Sequence, residues 1–217
     1  MHVAIMKKPN KATIFEMFTR LRHAIPDPKS DLEYTNIYTL LVAVVLSAQA
    51  TDIGVNKATK KLFQVVDNPK DMLALGEEGL KEHIKTIGLY NSKAKNVIKL
   101  SEQLLANHNG AIPQTEKELT ALAGVGRKTA NVVLNIAFGH NTIAVDTHVY
   151  RLARRLGLSK GTTPDAVEKD LLLRVPQEFL YQAHHWLILH GRYTCVARKP
   201  KCEACVLNDI CPSAFKA

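Results

Sequence analysis

Apolar residues recur at three- and four-residue spacing, with charged positions between them, over residues 14–23, 56–66, 94–107 and 167–173. That period predicts amphipathic helices. No stretch alternates apolar and polar residues in the two-residue rhythm of a half-buried strand. Residues 37–48 are apolar on most sides and rich in valine, so a buried strand competes with a buried helix; the length favours a helix at the centre of a bundle. Pro176 and Gly191 bracket a further segment holding Phe179, Leu180, Trp186, Leu187 and Leu189. Proline at the first turn and glycine past the last is the usual helix punctuation. Trp186 reads as core. The pattern predicts an all-α fold.

The chain has 217 residues, 46% of them hydrophobic, enough for one compact body or two small lobes. The formal net charge is +9 and the isoelectric point is near 9.4. A surface this basic favours a polyanionic partner, because neutralised phosphates release their counterions. No membrane partner is expected: the longest apolar run, residues 40–46, is far shorter than the roughly 18 to 20 residues of a bilayer span. Residues 1–6 lack the apolar core of a secretory signal, and Lys7 and Lys8 follow them. A reducing, cytoplasmic compartment is therefore expected.

All four cysteines, Cys195, Cys202, Cys205 and Cys211, fall in the tail with spacing C-x6-C-x2-C-x5-C. Thiolates so close in sequence can converge on one inorganic centre, and the tail has too few apolar residues to fold alone. Four thiolates hold either a tetrahedral zinc or an iron–sulfur cluster. Zinc knuckles usually present two C-x2-C pairs; here there is one, flanked by single cysteines, and Cys211-Pro212 resembles the end of a ferredoxin run. The spacing favours the cluster. A disulfide pair is the competing reading, and a reducing compartment weakens it.

Residues 119–134 read as a short helix, a glycine-bounded turn and a second helix, the pattern of a helix-hairpin-helix. Leu119 and Leu122 would pack the first helix, and Val125 would anchor the turn. Gly124 and Gly126 would permit positive φ and close approach of a ligand. Bare amides at the start of the second helix can hold a DNA phosphate, and Ala130 lets the helices cross closely. Lys128 lies in the first turn of that second helix beside Arg127, where the dipole and a neighbouring cation both favour the neutral amine. A neutral lysine is a nucleophile that can form a Schiff base with a sugar carbon; a phosphate contact is the other reading. Eighteen residues on, Asp146 follows a short apolar segment and precedes a helical pattern through Leu152 and Leu156. It would cap that helix; capping is the plainer reading and does not exclude catalysis, because a carboxylate at a helix start is oriented and can still face a cleft.

Together these residues resemble the helix-hairpin-helix DNA glycosylases, and among them the endonuclease III family. The resemblance runs nearly end to end, through residues 46–52, 87–94, the Gly124 to Lys128 hairpin, 145–148, 186–195 and the cysteine tail. It implies a bifunctional glycosylase and β-lyase of base excision repair, acting on oxidised or ring-saturated pyrimidines, with a 4Fe-4S cluster on the four cysteines. It implies two lobes with DNA across their cleft: a six-helix barrel over 30–139, with the hairpin at about 115–138, and a cluster domain of 1–29 plus 140–217. Its expected partner is double-stranded DNA containing damaged pyrimidines or abasic sites, bound by a monomer associated with the nucleoid.

By the same resemblance Lys128 is the nucleophile and Asp146 its paired carboxylate. Gln49 and Leu89 match positions that enter the helix and fill the gap left by base flipping; otherwise Gln49 is a surface or capping residue and Leu89 is core. Arg198, Lys199 and Lys201 form a cationic loop suited to phosphate, or else a solvated charge run. His148 either positions Asp146, binds phosphate or packs. His184, His185 and His190 show no metal-ligand pattern. Ala123 departs from the family, which often carries proline before Gly-Val-Gly; its loss is expected to loosen the hairpin by about 0.4 to 1 kcal/mol. Two alternatives remain: an adenine-mismatch glycosylase, which usually lacks a lysine at the Lys128 position, and a non-catalytic DNA-binding module.

Overall fold

The computed structural model describes residues 8–216, so the leader reading of residues 1–6 and Lys7 lies outside the described residues. Among the described residues there are ten α-helices and one short 3₁₀ turn, and no strand. Two compact units result: Ser30–His140 in one, and the residues up to Lys29 with those from Asn141 onward in the other.

The unit over Ser30–His140 is built on α2 (Ile37–Leu46), buried at every residue from Tyr38 to Leu46. A capping box decides between helix and strand for this run. Thr39 N–H donates to Asn36 Oδ1 at 2.9 Å and Asn36 N–H to Thr39 Oγ1 at 2.9 Å, satisfying two of the amides a helix start leaves free. Around it stand α3 (Asp52–Leu62), α4 (Pro69–Ile84), α5 (Tyr90–His108), α6 (Glu116–Ala121) and α7 (Arg127–Phe138). α7 packs on α2, α5 along α4 and α6 on α7. Their apolar stripes close a core of residues such as Leu41, Val45, Leu62, Met72, Leu80, Val97, Leu100 and Val133. The Tyr38 and Ser101 hydroxyls share a buried hydrogen bond of 2.7 Å inside it. Lys93, in the first turn of α5, is 5% exposed, and its Nζ has no hydrogen-bond partner among the described residues.

The other unit packs α1 (Lys11–Ala24), α8 (Thr147–Arg155), α9 (Pro164–Arg174) and α10 (Leu180–Tyr193), followed by the cysteine tail. Its centre is aromatic. Phe179 lies 5.8 Å from Phe18 and 6.0 Å from Trp186 between ring centroids, and the Trp186 indole N–H donates to Ile25 O at 2.9 Å. The bracketing of α10 differs from expectation. Pro176 precedes a 3₁₀ turn, Gln177–Phe179, while Gly191 lies inside the helix rather than past its end. A Cβ at Gly191 would stand 3.1 Å from both Cβ and O of His148, so glycine lets α10 approach α8 closely. Among the described residues no helix is long and apolar enough to cross a membrane.

Two stability predictions follow from these cores. Phe179→Ala, at a side chain with no exposed surface, should cost about 3 to 5 kcal/mol in denaturant unfolding. Burial pulls the Lys93 ammonium below the ordinary lysine value of 10.5. The unfolded chain then holds this proton more tightly than the folded one, so wild-type stability rises with pH as it approaches that value. Lys93→Met should therefore be more stable at pH 7 by about 1 to 3 kcal/mol, with the advantage shrinking towards pH 10; an advantage that does not change with pH would refute the assignment.

Candidate DNA-binding hairpin and cysteine centre

The hairpin runs from α6 through a tight turn into α7. Val125 N–H donates to Leu122 O at 3.1 Å, and Gly124 at the third turn position has φ 75°, the mark of a type II turn. Glycine is required there twice over, because a Cβ would also stand 2.9 Å from Asn96 Cβ. Val125 is buried and anchors the turn, and Ala130 is fully buried where the helices cross. Gly126 departs from the sequence expectation. It is the extended N-cap of α7 at φ −90°, so positive φ is not what selects it; a Cβ there would meet nothing within 4 Å, leaving room for a ligand.

α7 starts without a side-chain cap and without an acid in its first turn. Lys128 is exposed in that turn. Its neighbour Arg127 is engaged: Nη1 lies 3.5 Å from the Glu116 carboxylate of α6. The neighbouring cation is thus partly offset, and the pair closes the open side of the hairpin.

Uncapped starts are the exception in this chain. Asn10, Asn36, Thr51, Asn68, Thr115, Asp146 and Thr163 each cap a helix through the side chain. Bare starts occur at α7, at α5 behind Leu89, and at α10, which continues a 3₁₀ turn. Leu89 is left-handed at φ 61° and 61% exposed, which removes the core reading. Gln49 is also exposed and left-handed, at φ 54°, as is Lys199 at φ 53°. Non-glycine residues adopt this conformation at a cost, and such strain collects at ligand-binding segments. Among the described residues five non-glycine positions are left-handed, and three of them, Gln49, Leu89 and Lys199, are expected from sequence as DNA contacts.

In the other unit, Asp146 is the N-cap of α8; its Oδ1 accepts from Val149 N–H at 2.7 Å, as the sequence predicts. His148 Nδ1 lies 3.3 Å from Arg151 Nη2. That guanidinium also donates to Gly191 O at 2.6 Å and Cys195 O at 3.1 Å. Arg155, one turn on, holds Val196 O at 2.7 Å and Ala197 O at 3.0 Å, and its Nη1 lies 3.5 Å from Cys195 Sγ. Sequence reading missed both arginines. The signal was the i, i+4 spacing of basic residues on the helix that begins at Asp146.

The four cysteines line one open pocket, together with Leu152, Arg155, His190 and others. Among the described residues no three His, Cys, Asp or Glu side chains converge to hold a single metal ion. Thiols spread around a cavity suit a cluster better than one tetrahedral zinc. The donor set fits as well. Backbone amides approach the sulfurs, Leu207 N–H at 3.4 Å from Cys205 and Phe215 N–H at 3.5 Å from Cys202. Burial pushes the Cys205 and Cys211 thiols up, and the neighbouring cysteines add to it. Such a set becomes thiolate together only around a cationic centre. His190, judged patternless from sequence, lies 3.4 Å from Cys205 Sγ and is kept neutral by burial, with its pKa lowered to about 4.

Arg198, Lys199 and Lys201 are exposed on the loop between Cys195 and Cys202, which closes through Lys201 N–H to Thr194 O at 3.0 Å. The tail is also tied to α1, where Arg20 donates to Val206 O at 3.0 Å and to Asp209 at 2.5 Å. Leu207 is buried in the core of this unit. The inorganic centre is therefore not the tail's only core.

The HhH-GPD superfamily of base excision DNA repair proteins matches residues 42–177, and the iron–sulfur binding domain of endonuclease III matches 195–211, from the first cysteine to the last. Endonuclease III of Haemophilus influenzae is 57% identical over 202 residues, 93% of this chain and 96% of the relative. Endonuclease III of Escherichia coli K12 is 56% identical over the same shares. The structure of a trapped endonuclease III–DNA covalent intermediate superposes with a TM-score of 0.87 at 44% identity, covering 94% of this chain and 96% of that one. A thermostable thymine-DNA glycosylase shares the fold with a TM-score of 0.84 at 24% identity over 95% and 98%. A hairpin with a bare helix start, an aspartate-capped helix and a four-thiol tail thus sit on a chain that belongs to the endonuclease III family of base excision repair enzymes, DNA glycosylases with AP lyase activity that carry an iron–sulfur cluster.

Proposed function

We propose that the chain excises oxidised or ring-saturated pyrimidines from duplex DNA and nicks the strand at the resulting abasic site, with Lys128 as nucleophile. The observation that carries this reading is the exposed Lys128 amine in the first turn of a helix without a side-chain cap, a helix start that suits a phosphate. A relative's structure is of a trapped endonuclease III–DNA covalent intermediate, which is the species a lysine nucleophile would form.

The damaged nucleotide is flipped out of the stack, because C1′ cannot be reached inside the duplex. The Lys128 amine bonds to C1′ as the glycosidic bond breaks; the base leaves with the bonding pair and takes up a proton. The sugar ring opens to a Schiff base. This acidifies the C2′ hydrogen, whose loss expels the 3′ phosphate as the C3′–O bond breaks. Asp146 stabilises positive charge developing on the sugar. Its cap bond uses Oδ1, so Oδ2 takes no part in it.

DNA is held at the hairpin turn, Gly124, Val125 and Gly126, with Arg127, through His148, and through the Arg198, Lys199 and Lys201 loop. Gln49 and Leu89 fill the gap in the stack, presented on left-handed backbone at exposed positions. Cys195, Cys202, Cys205 and Cys211 hold a 4Fe-4S cluster, which when bound supplies a cationic core that keeps the tail folded. The enzyme acts as a monomer in a reducing cytoplasm, where the thiolates stay available to iron.

Borohydride added during reaction with duplex DNA containing an oxidised pyrimidine should trap a covalent adduct. Lys128→Ala should lose adduct and nick together while keeping the cluster's broad visible absorbance; trapping that survives the substitution would remove Lys128 from the role. Asp146→Asn keeps a cap-competent side chain, so its melting temperature should move little. Its single-turnover excision rate should fall by about 10² or more. Cys205→Ala should bleach the visible band and melt the protein at lower temperature.

A further inference from the structure

Between α6 and α7 the chain carries Ala123 at the second position of its type II turn, the position where proline is favoured because it pre-sets φ. Leu122 before it is extended, at φ −75° and ψ 143°, which a following proline accepts. One bond stands against proline. Ala123 N–H donates to Gln103 Oε1 at 2.8 Å, and proline has no N–H to give. The other end of the same amide donates back: Gln103 Nε2 lies 3.2 Å from Ala121 O, at the end of α6.

We propose that Gln103 is a positioning residue for the reaction: it clamps the hairpin turn from α5 and does the stiffening that proline would otherwise supply. The inference rests on the reading of Lys128 as nucleophile, because the clamped turn leads within a few residues to the first turn of α7.

The physics of the turn makes the clamp consequential. α6 has only six residues, too short to hold its own geometry, and its last carbonyls lack helical partners. Gln103 satisfies one of those carbonyls and one turn amide with a single planar group. It is anchored on the nineteen-residue α5, whose Leu100 and Leu104 are fully buried on either side of it. Asn96, two turns earlier on the same face, is the side chain that Gly124 abuts. α5 therefore touches the turn at Gly124, Ala123 and Ala121. A separate pair, Glu116 and Arg127, ties the start of α6 to the start of α7. With the clamp removed, the amides at Val125 and Gly126 and the Lys128 amine lose their common register, although Lys128 itself is unchanged.

The test uses the cluster-loaded protein in three forms: wild type, Gln103→Ala, and the double variant Gln103→Ala with Ala123→Pro. Hydrogen exchange reports the turn, through the amides of Val125, Gly126 and Arg127. Borohydride trapping under single turnover reports the chemistry, and affinity for a duplex carrying a tetrahydrofuran abasic analogue reports binding. Gln103→Ala should speed exchange at those amides and slow trapping by about tenfold, the scale of losing two modest hydrogen bonds. Proline in the double variant should bring exchange and trapping back to within about threefold of wild type, because a locked φ replaces the lost bond. Gln103→Ala that traps at the wild-type rate overturns the proposal. So does a double variant that regains its melting temperature but not its trapping rate, since that result assigns Gln103 a merely structural role. If wild type itself traps nothing, the Lys128 reading fails, while the exchange and affinity measurements still decide whether Gln103 holds the hairpin.

Discussion

Every α-helix begins with backbone N–H groups that have no partner inside the helix, and this chain treats them in two ways. Where a helix start is structural, an Asn, Thr or Asp side chain satisfies it; the capping box of α2 closes the start of a valine-rich helix. At α5 and α7 the cap is withheld, and the residue at the start is Leu89 or Gly126. A free amide costs nothing while it faces water, and becomes an anion site when a phosphate displaces that water. The distribution of caps thus separates helix starts that build the fold from those available to a ligand. α8 joins both classes, since the carboxylate that caps it is also the catalytic candidate.

In the unit that carries the cysteines, order is imposed by arginine as much as by apolar contact. Arg151 and Arg155 project from α8 onto carbonyls at Gly191, Cys195, Val196 and Ala197, and Arg20 reaches the tail from α1. Guanidinium groups suit this task because several fixed donors can satisfy several carbonyls of an irregular loop at once. The loop bearing Arg198, Lys199 and Lys201 therefore leaves a fixed base. Its positive charge is presented rather than dispersed, which raises its value to a polyanion by lowering the ordering entropy of binding.

Much of this was legible in the sequence, because the deciding interactions are local. Helical period, the Asp146 cap and the thiol spacing each depend on residues within a few positions of one another. What stayed hidden depends on contacts that sequence does not order. Gly191 looked like a helix stop, yet it serves the packing of α10 on His148, some forty residues away in the chain. Gly126 looked like a positive-φ residue, yet it is extended beside open space. Exposure separated Leu89 from the core leucines it resembles in composition. In sequence alone the Ala123 departure is a simple loss; in the fold Gln103, twenty residues earlier, lies across the turn.

The left-handed backbone at Leu89 restricts more than the local chain path. Holding an ordinary residue there costs roughly 1 to 2 kcal/mol, and a β-branched side chain would add to it. Isoleucine and valine are as apolar as leucine and could fill a vacated stack, yet the fold penalises them before any DNA is met. The side chain proposed to enter the duplex is thus filtered first by the conformational preference of one residue in the free protein. A survey of substitutions at this position would record folding tolerance and DNA fit superimposed, and the two separate only when stability is measured alongside repair.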